Sequence, residues 1–283
     1  MQNLPFLVKI NRLHFILPIF FAILISAIFA QVVLITEPIR GLTILFDGID
    51  ENFVALNILI ISLVSIVSLF LFFHFLKKNR AFAIRIVIAT FILGGVLSTL
   101  LFGKLVFNLL GLASPLMLLV IAAITYSGAY FAYLVLVDAL SKRTRNLLFV
   151  ICSGALGSFL GVIVPPIMAV VISLFLSALD LVLIERKIIE NIVGEETYEN
   201  LLTEVTFSHN EWGVGIGDLT CYSMVVSNTS VNFGIYMGTF SLVLILMGVL
   251  LTLALAIRKI RQPGLPIAIT LGVFPSILLL FFL

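Results

Sequence analysis

The sequence predicts an all-α, polytopic membrane protein of nine transmembrane helices, with its N-terminus in the cytoplasm and its C-terminus outside. Three observations predict this. Hydrophobic residues fill 62% of the 283 positions and charged residues only 11%, a balance outside that of soluble domains. The apolar residues form runs long enough to cross the ~30 Å hydrocarbon layer as helices. The basic residues between the runs gather on alternate loops.

Lys9 and Arg12 precede span one, residues 13–35. Its apolar core is longer than that of a typical signal peptide, and Ile28 and Ala30 make a poor cleavage pair, so it is expected to be retained. Glu37, Asp47, Asp50 and Glu51 mark a loop, and residues 53–76 form span two, closed by Lys77, Lys78 and Arg80. Span three covers residues 81–103, with Arg85 reaching back to the headgroups and Lys104 at the far end. The uncharged stretch 105–137 is too long for one upright helix and too short for two, which starts span four after Pro115 and ends it near Asp138. Asp138 precedes Lys142 by four residues, a spacing that suggests an interfacial ion pair.

Span five, residues 146–164, stops at Pro165 and Pro166, and its Gly157 and Gly161 have the spacing that lets membrane helices pack closely. Span six, residues 166–184, contains Asp180. An acidic loop then runs to Trp212, carrying Glu190, Glu195, Glu196, Glu199, Glu204 and Glu211, and is expected to hold at most a short amphipathic helix. Between Asp218 and Arg258 there is no charge, so two spans are expected there, with a break at the polar cluster Ser227, Asn228, Thr229, Ser230 and Asn232. The glycosylation sequon that begins at Asn228 is read as a chance match. Residues 265–283 form the ninth span. Alternating the spans places 14 of the 16 basic residues on one face, with Arg40 and Lys104 on the other, which fixes the cytoplasmic side.

A net charge of +2, with the basic residues gathered in short loops, implies no nucleic-acid partner. Cys152 and Cys221 stand alone in apolar runs and read as buried free thiols; His14, His74 and His209 are scattered, so no metal and no cofactor are expected.

The chemistry-bearing residues are Asp180 and Asp218, because an ionisable residue inside an apolar span is expensive to keep there without a role. Asp180 lies six residues before Arg186 and Asp218 seven after Glu211, or ~9 Å and ~10 Å along a helix, which levels the two carboxyl groups in the inner part of the bilayer. One carboxylate and one carboxylic acid make a base and an acid. The helix ends predict that Asp218 carries the charge and Asp180 the proton. Gly215, Ile216 and Gly217 precede Asp218, and the two glycines leave room for a neighbouring helix or a substrate backbone.

With Asp180 in the string ALDLVLIE, Asp218 in GIGD, and Pro263, Gly264, Leu265 and Pro266 just before the last span, the chain resembles the presenilin and signal-peptide-peptidase family, especially its compact microbial members. The resemblance implies an intramembrane aspartyl endopeptidase of the GxGD type in which Asp180 and Asp218 are catalytic. It implies further that Pro263 to Pro266 lie beside the active site, and that the substrates are transmembrane helices of membrane proteins or signal peptides. Leu179 stands where the family usually has tyrosine and Gly264 where it usually has alanine.

On this reading residues 1–283 form one transmembrane protease domain, with spans one to five in 1–164 and the catalytic spans six to nine in 165–283. The protein is expected to be multi-pass in the lipid bilayer, in the cell membrane if prokaryotic, and to need no accessory subunit. Three alternatives use the same aspartates: a proton- or cation-coupled transporter or channel, a prepilin-type GxGD peptidase, and a scaffold with inactive aspartates. The absence of a visible internal repeat argues against the transporter.

Overall fold

The computed structural model describes residues 4–36, 80–111, 114–185, 206–209, 212–257 and 265–282. These form eight helices and one hairpin: α1 (Leu4–Thr36), α2 (Arg80–Leu110), α3 (Ser114–Leu136), α4 (Lys142–Ile163), α5 (Pro166–Glu185), β1 (Thr206–His209), β2 (Trp212–Gly215), α6 (Ile216–Phe233), α7 (Ile235–Ile257) and α8 (Leu265–Phe282). The helices stand where spans one and three to nine were expected, and span two lies outside the described residues. Six of them, α1 to α4, α7 and α8, are long and apolar enough to cross a membrane, while α5 has a shorter apolar stretch, Pro166–Val182. The protein is therefore an all-helical integral membrane protein.

Helix α6 is the axis of the bundle, packed against α1, α4, α5, α7 and α8. Its polarity follows from that place. A helix facing lipid must be apolar outside, as on α3, where Leu118 and Leu119 are 68% and 70% exposed. A helix enclosed by other helices can carry polar groups, provided its neighbours satisfy them. Serine, asparagine and threonine accordingly occupy buried positions Ser227, Asn228, Thr229 and Ser230 of α6.

This corrects the expected break at the polar cluster: the helix runs through it to Phe233 and ends at Gly234, whose φ of +89° suits glycine. The cluster is spent on helix contacts. Asn228 Nδ2 donates to the carbonyls of Gly161 at 2.8 Å and Val164 at 2.7 Å, two acceptors left over where α4 stops before Pro165. Ser227 Oγ donates to the Ser158 carbonyl, 3.2 Å, and the hydroxyls of Thr229 and Ser276 on α8 lie 2.8 Å apart. On the next turns Ser26 Oγ of α1 donates to the Ser223 carbonyl at 2.6 Å, and Ser158 Oγ to the Ser26 carbonyl at 2.9 Å. Small residues make these approaches possible: a Cβ on Gly161 would stand 2.5 Å from the Met224 carbonyl oxygen, and one on Gly157 2.5 Å from that of Thr220. The close-packing role expected of both glycines holds.

Helices α7 and α8 form a second tight pair. Ser241 Oγ donates to the Gly272 carbonyl at 2.6 Å, and a Cβ on Gly248 would meet the Ala268 Cα at 2.5 Å.

Two ion-pair expectations change. Asp138 pairs with Arg85 across elements, Nη2 to Oδ2 2.6 Å, and not with Lys142. Helix α3 ends at Leu136, Asp138 turns the chain with φ +61°, and Ser141 caps a new helix by accepting from the Thr144 amide at 3.2 Å, so one-turn spacing does not connect Asp138 to Lys142. Arg85 thereby has a carboxylate partner where headgroup contact was expected. Lys104 does not end its span: α2 continues to Leu110 and stops at Gly111, φ +60°, because an exposed lysine side chain does not interrupt helical hydrogen bonding.

Replacing Gly161 by leucine should therefore lower the thermal midpoint of the detergent-solubilised protein, with overpacking costing about 1–3 kcal/mol. Asn228→Ala should cost ~1–2 kcal/mol, since it strips α4 of both terminal hydrogen bonds. Equal midpoints for wild type and Asn228→Ala would refute the capping assignment.

Candidate active site

The hairpin β1–β2 delivers the chain to α6. Its strands pair antiparallel from Thr206 with Gly215 to His209 with Trp212, a structure unforeseen in the expected acidic connector. The alternation is short and the connection is only Asn210 and Glu211, so helical and β patterns are hard to separate over such a length. The hairpin also replaces the depth ruler along span seven: residues 212–215 are strand, which advances ~3.3 Å per residue where a helix advances ~1.5 Å.

Gly215 ends β2 and is the N-cap of α6, with φ −62° and ψ 140°, so Asp218 is the third residue of the helix. Its carboxyl group folds back over Gly215 and takes a hydrogen bond from that residue's amide, the geometry by which a third-position acid closes a helix start. A Cβ on Gly215 would lie 3.4 Å from the carboxyl atoms of Asp218. Ile216 is buried in a cluster with Phe149 and Ile92, and its carbonyl accepts from Ser153 Oγ at 3.4 Å, which fixes the start of α6 on α4. Gly217 is different: it is exposed, and a Cβ there would meet nothing within 4 Å. The backbone next to Asp218 is therefore uncovered among the described residues.

Asp180 enters from α5, which packs on α6 and α8. Its Oδ2 accepts from the Leu265 amide at 3.3 Å, the first residue of α8. Leu265 itself is buried, and Pro266 follows in the first turn, where a missing amide hydrogen leaves no helical bond unmade. Pro263 and Gly264 lie outside the described residues. Asp180 and Asp218 are each partly buried and near enough for the charge of one to act on the other.

The structure thus brings together Asp180, Asp218, Gly215, Ile216, Gly217 and Leu265. It also removes the basis for the expected difference between the two carboxyl groups. Asp180 is near the end of α5, but Leu265 offers it the first amide of α8, so each aspartate faces the start of a helix.

Two neighbours of Asp218 on α6 were not read as part of the site, Cys221 being expected only as a buried free thiol. Cys221 and Tyr222 follow Asp218 by three and four residues on α6, the spacing that puts them on the same side of the helix. Helical spacing from Asp218 was the available signal. Cys221 is partly buried and Cys152 fully so, and both are free thiols. Among the described residues no three His, Cys, Asp or Glu side chains converge as metal ligands.

No protein-family profile and no curated protein matches the chain in sequence. In structure it is similar to a presenilin family intramembrane aspartate protease solved in two crystal forms. The form in space group C222 matches with a TM-score of 0.58 and 17% identity over 94% of this chain and 99% of that one. The form in space group P2 gives the same score and identity over 94% and 97%. The chain has a presenilin-like fold.

The Leu265 amide separates two substitutions at one position. Asp180→Asn keeps an acceptor for it and should leave the thermal midpoint nearly unchanged, whereas Asp180→Ala leaves a partly buried donor unmet and should destabilise by ~1 kcal/mol or more. Parallel unfolding curves for the two variants decide this.

Proposed function

We propose that the chain is an intramembrane aspartyl endopeptidase that hydrolyses peptide bonds within transmembrane segments of membrane proteins or signal peptides, with Asp180 and Asp218 as its catalytic pair. The observation that carries the proposal is the approach of two carboxyl groups from α5 and α6 at the core of an apolar bundle with a presenilin-like fold. The exposed Gly217 supports it, because a substrate backbone needs an unblocked line to Asp218.

The pair holds one proton between its members. The ionised carboxylate takes a proton from water as the oxygen attacks the scissile carbonyl carbon, while the carboxylic acid donates its proton to the carbonyl oxygen. Collapse of the tetrahedral diol breaks the C–N bond, and a proton passes to the leaving amine. Low polarity around the pair strengthens each of these charge interactions. Leu265 borders the pair and positions Asp180 through its amide. The full arrangement is nine spans with the N-terminus in the cytoplasm and the C-terminus outside, and the chain acts without an accessory subunit.

Purified protein in lipid vesicles, mixed with a tagged single-span peptide, should release products that mass spectrometry places within the apolar segment. Asp180→Asn and Asp218→Asn should each lower the rate at least ~100-fold, in folded, membrane-inserted protein, because either loss removes the acid–base couple. Substantial cleavage by either variant would reject the pair.

Gly217→Leu makes a second test. Its side chain has room in the free protein, so stability should hold, but it covers the backbone next to Asp218 and should abolish cleavage. Unimpaired turnover would place substrate on another side.

A further inference from the structure

A hydroxyl inside a helical bundle usually returns to the carbonyl one turn back on its own helix or crosses to a neighbouring one. Both solutions occur here: Ser98 donates to the Gly94 carbonyl, Thr220 to that of Ile216 and Thr229 to that of Val225, while Ser241 reaches Gly272 of α8. Ser173 of α5 does neither. Its side chain is fully buried, at 0% exposure, and its Oγ has no hydrogen-bond partner among the described residues. An unpaired hydroxyl in apolar surroundings is costly, and folded proteins meet it with a protein group or with water. Ser223 is the only other such hydroxyl among the described residues, but the backbone of α4 lies directly against it: a Cβ on Gly157 would stand 2.4 Å from the Ser223 Cβ.

Ser173 lies instead on a stripe of small side chains. Ala169, Ser173 and Ser177 are all buried and stand four residues apart, so this stripe of α5 turns into the bundle, where α5 packs on α6 and α8. The stripe ends in Asp180. Seven helical residues fall ~20° short of two full turns, so Asp180 projects on the same side of α5 as Ser173, with Ser177 between them. Positions three and four apart have Cβ atoms ~5–6 Å from each other, a gap that short side chains close through one bridging water. Side chains lean toward the N-terminus of their helix, which brings the carboxyl group of Asp180 toward Ser177. The Leu265 amide takes Oδ2 and leaves Oδ1 as an acceptor.

We propose that Ser173, Ser177 and Asp180 form a binding site for internal water, in which one molecule bridges the two serine hydroxyls and a second bridges Ser177 to the carboxyl group of Asp180. Hydrolysis creates the need for it. In each turnover one water gives its hydroxyl to the acyl carbon and its remaining hydrogen to the leaving nitrogen, and the molecule behind it on the stripe takes its place beside Asp180. The inference rests on the proteolytic reading for this kinetic consequence and on the buried hydroxyl of Ser173 for the water itself. Neither serine touches substrate or exchanges a bond. Both are positioning residues that act through water.

The test is Ser173→Ala in the full-length protein in lipid vesicles, a change that fits the space and suits a helix interior. Infrared difference spectra between ordinary water and water enriched in heavy oxygen isolate the O–H stretching bands of internal water. The wild type should show such bands, and Ser173→Ala should lose one of them, with kcat lowered ~5-fold and KM unchanged. A dry, unpaired hydroxyl gives the opposite result: its removal raises the thermal midpoint and leaves the water bands and kcat as they are, which overturns the proposal. A raised KM with unchanged bands assigns the stripe to substrate and overturns it as well. A band lost at wild-type kcat overturns the supply of water to the pair. If the wild-type protein cleaves no peptide, the proteolytic reading fails, while the infrared arm still decides whether Ser173 holds water.

Discussion

A polar helix in an apolar medium is stable only if the helices around it meet its hydrogen-bonding groups, and α6 is built under that constraint. Unmet polar groups cost several kcal/mol each in hydrocarbon, by a rough estimate. The side chains of Ser227, Asn228 and Thr229 therefore face α4 and α8, while the Ser223 carbonyl faces α1. These bonds are short and directional, and they fix the rotation of α6 about its own axis more sharply than apolar packing does. The rotation matters because it decides where the first turn of the helix presents Asp218. A bundle held only by leucine and isoleucine would leave that angle to van der Waals contact.

The candidate site inherits its order from main-chain groups. Asp218 is held by the amide of the residue that caps its own helix, and Asp180 by the first amide of α8. The two side chains proposed to do chemistry also meet helix starts, so the structural contacts and the proposed chemistry rest on the same atoms. A structural role for either aspartate and a catalytic one are compatible, since an asparagine can serve the first and not the second.

Much of this was legible in the chain. Long apolar runs with charged ends locate helices well, because span length is set by bilayer thickness and charges cannot sit far inside. Gly157 and Gly161 were readable as a packing face, and the two aspartates stood out against an uncharged background. The misreadings have local causes. Ser227 to Asn232 looked like a break because composition alone cannot tell a loop from a helix whose polar side chains are answered by α4 and α8. The hairpin at Thr206–Gly215 was too short to show its period. The partner of Asp138 came from another helix, Arg85, because the turn at Asp138 ended the spacing on which Lys142 was chosen.

The close pairing of α7 with α8 reaches further than stability. Gly248 against Ala268, with Ser241 bonded to Gly272, makes these two helices one rigid lever. The tip of that lever is the Leu265 amide, and Asp180 is tethered to it. The hydroxyls of Thr229 and Ser276 tie α8 to α6 as well, so the helix pair that reaches Asp180 is also fixed to the helix that carries Asp218. The spacing of the two aspartates is therefore set by helix-to-helix contacts that lie well away from the carboxyl groups themselves.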